Sequence, residues 1–573
     1  MADFHFSPRE NRAADIAWMP WSEAAFARAA AEDKPVLLGI SAVWCHWCHV
    51  MDETTYSDPD VIARINRDYV PIRVDNDERP DVNARYNMGG WPSTAFLTPD
   101  GSIITGFTYV PASQMHRALD EIGRFYRESR SDIAARSAQM REARAPFEAA
   151  NHAELDGAIV ARVAETIAGG YDAEYGGFGE APKFPQPEVL EFLLARWRAH
   201  NDPHTYEMVA RTIREMSRGG MYDHAEGGFF RYSTTRDWSV PHFEKMAEDH
   251  AGLIRVLAQL HIWSAHSDWR DILRSALRYV NVVLRDSRTG LYAGSQDADE
   301  SYFALDLEAR RTREGPFVDR RSYSNWTAAL AGACAWSATA LDDDALAAGA
   351  AQTLDALHDH VRDGDGLLYH VAAPGEPPRI RGLLTDQVSY LRALLDVHEH
   401  TGEARFLERA RRHAGLTIEH FGVPEGGFID HARAEMPIGR LDLPDRPIVE
   451  NGLMAESLLR LATMAEEPRY RECAAATLAL FVRSHERAGP FSATFARALD
   501  RYVSPALSVK LSGTAEQTQA FREAAVRLPS PFTCIATRPG DEGAALICRG
   551  TVCAAPVRDP AEIRSAYETL VPA

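Results

Sequence analysis

The chain has no run of about 18 or more apolar residues, the length a helix needs to cross a bilayer, so the sequence predicts no membrane span. Its first residues, MADFHFSPRENRAADIAW, lack the apolar stretch of a secretory signal. The default expectation is a cytoplasmic protein. Basic tracts are also missing. Lys and Arg total 62 against 82 Asp and Glu, a net charge of −20. That balance repels nucleic acid and anionic membrane surfaces. Cysteine is scarce, with 7 in 573 residues, and this odd, scattered set excludes a disulfide framework. Cys334 and Cys473 lie in Ala-rich helical stretches and are expected to be buried and inert. Only Cys45/Cys48 and Cys548/Cys553 are close in sequence. In a cytoplasmic chain the second pair is expected as two free thiols.

What remains is ordinary globular material, 45% hydrophobic and 25% charged, long enough for two to four domains at about 150 residues each. Residues 1–130 alternate strands and helices. Trp21 to Glu32 reads as a helix, Pro35 to Ile40 as a buried strand, and Ser57-Asp-Pro-Asp60 as a capped helix start running to Tyr69. Val70 to Asp75 and Ser93 to Thr98 read as strands, Ile103 to Tyr109 as a hairpin partner, and Gln114 to Arg127 as a closing helix. Strand, helix, strand, hairpin, helix is the thioredoxin order. Residues 131–150 are polar and helical, a linker helix. Residues 151–504 are dominated by long helical patterns. Between them a turn recurs every 50 to 75 residues or so, at Gly176-Gly-Phe178, Gly227-Gly-Phe229, Gly290-Leu-Tyr292, Gly366-Leu-Leu-Tyr369 and Gly426-Gly-Phe428. Helical hairpins with glycine turns on one side predict an (α/α) toroid whose pocket lies where the long loops meet. An open solenoid is the alternative. Residues 505–573 return to short strands and a terminal helix, a small α/β appendage.

The CxxC sits just after the first strand, at a helix start. Free N–H groups and the helix dipole there favour a thiolate. Two intervening residues let one sulfur resolve a mixed disulfide formed by the other. Cys45, nearer the helix terminus, is the expected attacking thiol and Cys48 the resolving one; a protonated His46 would stabilise the Cys45 thiolate further. Pro92, immediately before a strand, supplies the proline that thioredoxin-like folds place opposite the pair in the cis form, which costs little only at proline. Three other readings compete. Cys45-His-Trp-Cys48-His49 matches a haem-attachment pattern, but that chemistry normally follows export. Zinc would find Cys45, Cys48 and His49 but no clean fourth ligand. A redox-dead binding module is the third. No metal and no cofactor are expected.

In the helical region the densest chemistry lies in residues 219–253. Tyr232, Trp238, His242, Glu244 and Asp249 stand there as candidate pocket residues, because aromatics stack on sugar faces while carboxylates and histidines move protons. Asp297, Asp299 and Asp386 join them from loop-to-helix joints; Glu450-Asn451 falls at an equivalent joint. Each has a plainer reading: Asp297 or Asp299 as a helix cap, Tyr232 and Trp238 as packing. Lys183 lies on a rigid proline-rich loop, facing an acidic ligand or simply Glu180.

The stretches CHWCHVM (45–51), VDNDERPDV (74–82), GGWPSTAFLTPDG (89–101), PKFPQP (182–187), GGMYDHAEGGFFRYSTTRDWSVPHFEKM (219–246), SQDADE (295–300), LLTDQVSYLRALLDVHE (383–399) and CRGTVCAAPVRDP (548–560) resemble the spermatogenesis-associated protein 20-like family over nearly the whole chain. The resemblance implies a thioredoxin-like domain fused to a six-hairpin toroid like those of glycosidases and N-acylglucosamine 2-epimerases, without implying a reaction. Cys45, Cys48 and Pro92 match its thioredoxin motif. His242, Glu244, Asp297 and Asp299 match positions with no assigned role. The sequence departs from the family pattern after Asp299, where a long insert is missing, at Trp326-Thr-Ala-Ala329, and at Ala247-Glu248-Asp249. One wall of the toroid pocket is therefore altered. The expected function is thiol–disulfide exchange, with the toroid binding an unknown thiol or disulfide substrate or a sugar-like small molecule. The alternatives are a carbohydrate-active isomerase or hydrolase and a non-catalytic binding protein. Neither nucleic acid nor membrane is an expected partner.

Overall fold

The run Val-Leu-Leu-Gly-Ile-Ser forms β1 (Val36–Ser41), with five of its six residues buried, as a strand covered on both faces requires. β1 pairs in parallel with β2 (Val70–Asp75) and antiparallel with β3 (Ser93–Leu97), and β3 pairs antiparallel with β4 (Ile103–Phe107). The strand order is β2-β1-β3-β4. The helices on this sheet start where the side chains dictate. Ser22 caps α1 (Glu23–Glu32) by accepting from the Ala25 N–H. Asp58 caps α3 (Pro59–Asp68), with proline in the first turn. Between β1 and α3 lies α2 (His46–Glu53), and after β2 comes α4 (Pro80–Tyr86), a helix the sequence reading did not anticipate. α5 (Ala112–Glu128) closes the layer. The computed structural model describes residues 4–143, 154–432 and 438–571, and they fall into two compact units. A helix runs over Arg130–Ala143; the rest of the 131–150 span lies outside the described residues. Residues 438–445 belong with the first unit: Leu441 joins its core, and the Arg440 N–H donates to the Tyr86 hydroxyl at 2.7 Å.

The second unit is a ring of helices. Six inner helices, Pro187–His200, Ala247–Ser264, Ser324–Leu341, Leu384–Thr401, Ile448–Ala465 and Ala493–Val503, each pack on the next, and the last packs on the first, so the ring closes. Outer helices Pro203–Arg218, Asp268–Tyr279, Asp344–His360, Ala404–Phe421 and Pro468–Phe481 back the inner helix preceding each, and Gly157–Gly169 backs the last. This is the expected (α/α)6 toroid; closure rules out the open solenoid.

Inner-to-outer connections are short, whereas outer-to-inner connections are long and carry the recurrent turns. All five glycine turns close as antiparallel bridges: Tyr171↔Phe178, Tyr222↔Phe229, Arg285↔Tyr292, Arg362↔Leu368 and Gly422↔Phe428. An aspartate starts four of them. Asp172, Asp223, Asp286 and Asp363 each accept backbone N–H groups of their own turn, the local bonding at which this residue excels. The long loops therefore gather at the N-terminal ends of the inner helices. At the opposite end, strands Leu507–Ser512, Thr533–Arg538, Ala544–Arg549 and Val552–Cys553 form a sheet that packs on inner helices 384–401 and 448–465. Among the described residues no helix is long and apolar enough to cross a membrane.

Candidate functional site

β1 delivers the chain to Cys45, the N-cap residue of α2, whose Sγ accepts the Cys48 backbone N–H at 3.2 Å. Cys45 and Cys48 are joined as a disulfide with Cα atoms 5.2 Å apart. The register of β1 on β3 places Ser93 opposite Ile40. Pro92, one residue earlier and preceded by a cis peptide bond, thus falls at the same end of the sheet as the cysteine pair. Both cysteines are covered, 5% and 2% exposed, whereas Trp47 between them is 49% exposed. Trp47 packs on Tyr109, and His46 is an exposed neighbour edge-on to Trp47. Trp44, edge-on to Trp91, donates its indole N–H to Asp77 at 2.6 Å. Burial, with His5 alongside, pushes His49 down to about 4, so it is neutral at pH 7 and lends no positive charge to the sulfurs. α2 is fixed from below. Asp52 on its inner face takes a two-pronged ion pair from Arg73 of β2, at 2.8 and 2.9 Å.

The ring holds a second candidate. A cavity of about 140 Å³ lies among five of the inner helices, lined mostly by residues of their first two turns. Glu188, Glu248 and Glu450 face it, together with Asn325, Trp326 and Arg392. Glu188 and Glu248 remain accessible to water although the ring surrounds them, because they face the chamber and not the outside. Burial, reinforced by Asp249 and Glu188, pushes Glu248 up to about 8. Burial raises Asp249 to about 7, against the pull of Arg231. The floor is a lattice of ion pairs. Glu191 takes Arg392 at 2.5 Å and also pairs with Arg497, which in turn binds Glu456. Asp396 lies between Arg255 and Arg460. Burial works against ionising Glu191, but Arg392, Arg497 and Arg255 outweigh it and hold that carboxyl well below its usual range. Beneath the floor a narrow cavity of about 50 Å³ is lined on one side by Pro531 to Thr533 of the C-terminal segment.

Of the residues singled out in the sequence, Glu450 lines the chamber, whereas none of the eight candidate pocket residues does. Tyr232 stacks between Phe184 and His242, with ring centres 4.9 Å from each. His242 bonds buried Glu244 at 2.8 Å. Trp238 is wholly buried, donates its indole N–H to the Tyr175 carbonyl, and lies over Lys183. Lys183 itself is 0% exposed and meets Asp172 at 2.7 Å, not Glu180. Asp297 is buried and accepts from the Ala298 N–H. Asp299 caps the short helix Glu300–Phe303. Asp386 is fully buried against His370 at 2.8 Å, and burial raises its carboxyl despite that histidine. Asp249 stands beside Glu248 in the first turn of its helix. The signal that could have found the chamber is positional. Glu188, Glu248 and Glu450 are second or third residues of their inner helices, where the dipole favours an acid.

The remaining cysteines correct two expectations, the free thiols of Cys548 and Cys553 and the full burial of Cys473. Cys548 and Cys553 are not two free thiols but a disulfide, because strand pairing sets them directly opposite one another. Cys334 is buried, and Cys473 is half-buried, its thiol pushed up to about 11 by burial.

Comparison with known proteins places these features. The family model Thioredox_DsbH, described as a protein of unknown function (DUF255), matches residues 8–144. Human spermatogenesis-associated protein 20 is 25% identical over 96% of this chain and 89% of its own length. The thiol:disulfide interchange protein DsbD 1 of Pseudomonas aeruginosa is 37% identical over 14% of this chain and 14% of its own. Among solved structures, cellobiose 2-epimerase from Spirochaeta thermophila has TM-score 0.46 and 17% identity over 56% of this chain and 83% of that one. A thioredoxin-like unit carrying a CxxC pair, a closed six-hairpin ring and a likeness that runs through nearly the whole chain coincide: the chain is similar, end to end, to the spermatogenesis-associated protein 20-like family.

Proposed function

We propose that Cys45 and Cys48 perform thiol–disulfide exchange and that the helical ring recognises the substrate or partner served. The observation that carries this reading is the position of Cys45 as helix N-cap, with its sulfur already accepting a backbone N–H. In the reduced protein the same N–H and the helix dipole favour a Cys45 thiolate. That thiolate attacks a substrate disulfide and forms a mixed disulfide. Cys48 then attacks the Cys45 sulfur, the substrate leaves as a dithiol, and the pair ends as the disulfide seen here. Exposed Trp47 and His46, with half-buried Tyr109 against Trp47, offer a rim for an extended peptide. A redox titration with alkylation and peptide mass spectrometry should show one two-electron transition of this pair between about −350 and −150 mV. A pair that stays dithiol, or stays oxidised, across that window defeats the reading.

A second reading rests on the chamber. A carboxyl held protonated near neutrality, as at Glu248, close to an ionised one, Glu191, is what proton transfer to a small polar, sugar-like molecule requires. Its physical premise can be checked through stability. Glu248 has a folded pKa above its unfolded one, so its contribution to stability is complete below about pH 4 and is lost as pH climbs toward 8. Glu248→Gln should remove that loss. The melting temperature of the variant, measured against the parent, should rise between about pH 5 and about pH 9. A difference that stays flat means the carboxyl is not perturbed. Turnover or retention of a sugar-like ligand that is lost in Glu248→Gln, but kept in Cys45→Ser, would favour this reading over the first.

A further inference from the structure

We propose that Cys548 and Cys553 form a second thiol–disulfide site, reducible in the folded protein by a vicinal dithiol, with Cys553 as the sulfur attacked. The inference is independent of the Cys45–Cys48 reading. Strands Ala544–Arg549 and Val552–Cys553 form a hairpin whose register pairs Arg549 with Val552 and Cys548 with Cys553. The two cysteine Cα atoms lie 4.0 Å apart. The two strands differ sharply in access. Cys548 is 3% exposed, while Val552 is 63% exposed and Cys553 lies open beside it. Val552–Cys553 is the edge of its sheet, with a neighbouring strand on one side only. An incoming thiolate therefore reaches Cys553 from solvent, while Cys548 is positioned to leave.

A structural staple is the competing role, and the hairpin does not need one. The bridge spans a sequence separation of only 5, and so short a loop removes little freedom from the unfolded chain. Backbone bonds already hold the segment. The Ala554 N–H donates to Ile547 at 2.9 Å, the Gly550 N–H to Ala506 at 2.8 Å, and Ala545 and Val557 exchange two bonds of 2.8 Å. Reduction would leave all of these in place, so the pair can cycle without unfolding its sheet.

The exchange balances as follows. A thiolate of the reductant attacks Cys553 Sγ, the Cys548–Cys553 bond breaks, and Cys548 leaves as a thiolate that takes a proton from water. The second thiol of the reductant then attacks its own partner sulfur in the mixed disulfide and frees Cys553. The reductant loses two electrons and becomes a disulfide; the hairpin gains them as two thiols. The chain's own Cys45/Cys48 pair, when reduced, is a dithiol of the required class.

The test uses the full chain with Cys45→Ser and Cys48→Ser, so that a failure of the first pair cannot be confused with a failure of the second. Dithiothreitol buffers are the probe, near-ultraviolet circular dichroism reports the fold, and differential alkylation with peptide mass spectrometry reads each cysteine. The expected result is reversible conversion to dithiol with unchanged dichroism. With glutathione as a monothiol probe, the adduct should fall on Cys553 over Cys548 by at least about tenfold, as access dictates. In Cys548→Ser, Cys553 should take up about one equivalent of glutathione from its disulfide. A pair that is dithiol in every buffer, reduction only where the protein unfolds, an adduct on Cys548, or no uptake by Cys548→Ser would each overturn the proposal.

Discussion

A Cys48→Ser chain should accumulate a stable mixed disulfide at Cys45 when given a peptide disulfide, and a Cys45→Ser chain should form none. The asymmetry follows from position. Cys45 caps α2 and receives the Cys48 backbone N–H, whereas Cys48 lies one turn inside the helix and is 2% exposed. The first sulfur is stabilised as a thiolate and is the more accessible. The second can act only on a sulfur already attached to the first. Loss of Cys45 should lower exchange by about 10³-fold or more, the scale seen when a nucleophile is removed outright. Loss of Cys48 should halt turnover after one covalent step. Trapping is read by non-reducing mass spectrometry, with the adduct mapped to the tryptic peptide of each cysteine. Adducts that form equally on both single variants would remove the directional argument. Because His49 is neutral at pH 7, His49→Asn should leave the trapping rate near the parent value, which separates helix-terminus stabilisation from a charged-histidine mechanism.

The first unit was readable because its signals are local. An apolar strand, an Asp-Pro cap and a proline before a strand each act within a few residues, and each places an element that the structure contains. The ring was readable for a different reason. The turn at Asp172 is repeated with the same aspartate-to-backbone bond at Asp223 and Asp286 and with a shifted one at Asp363, and a repeat exposes the unit that is repeated. α4 was not anticipated; it is short, opens on Pro80, and has no side-chain cap. The chamber was not legible, because which first-turn acids converge depends on ring closure, a long-range event. Glu450 was noticed at its loop-to-helix joint, but Glu188 and Glu248 look like ordinary dipole-compensating acids in sequence, while the crowded stretch around Trp238 drew attention to a residue that fills a gap between loops. The Cys548–Cys553 bond was missed for a related reason: register, not spacing, brings those sulfurs together.

Asp396→Ala should cost the helical ring about 3–5 kcal/mol, the penalty for stripping one partner from a buried charge pair. At roughly 2–4 °C per kcal/mol for a domain of moderate size, that is a fall of ~10 °C in its calorimetric transition. Asp396 is 1% exposed and lies between Arg255 and Arg460, each 5% exposed. Burial opposes its ionisation, yet the two guanidiniums outweigh it and hold the carboxyl far below its usual range. Removing it strips Arg255 of this buried carboxylate and leaves Arg460 with Glu399. Glu399 supplies the internal control. It also pairs with Arg460, at 2.7 Å, but there burial wins and its carboxyl is raised. Glu399→Gln should therefore cost much less, about 1 kcal/mol, near the worth of an ordinary hydrogen bond. The pH dependence has a definite sign. The folded pKa of Asp396 lies below the unfolded value, so its contribution is complete above about pH 4 and is lost as pH falls further. The deficit of Asp396→Ala against the parent should therefore shrink in acid. Equal losses from the two substitutions, or a deficit independent of acid, would mean that the floor of the chamber is held by packing and not by its charge lattice.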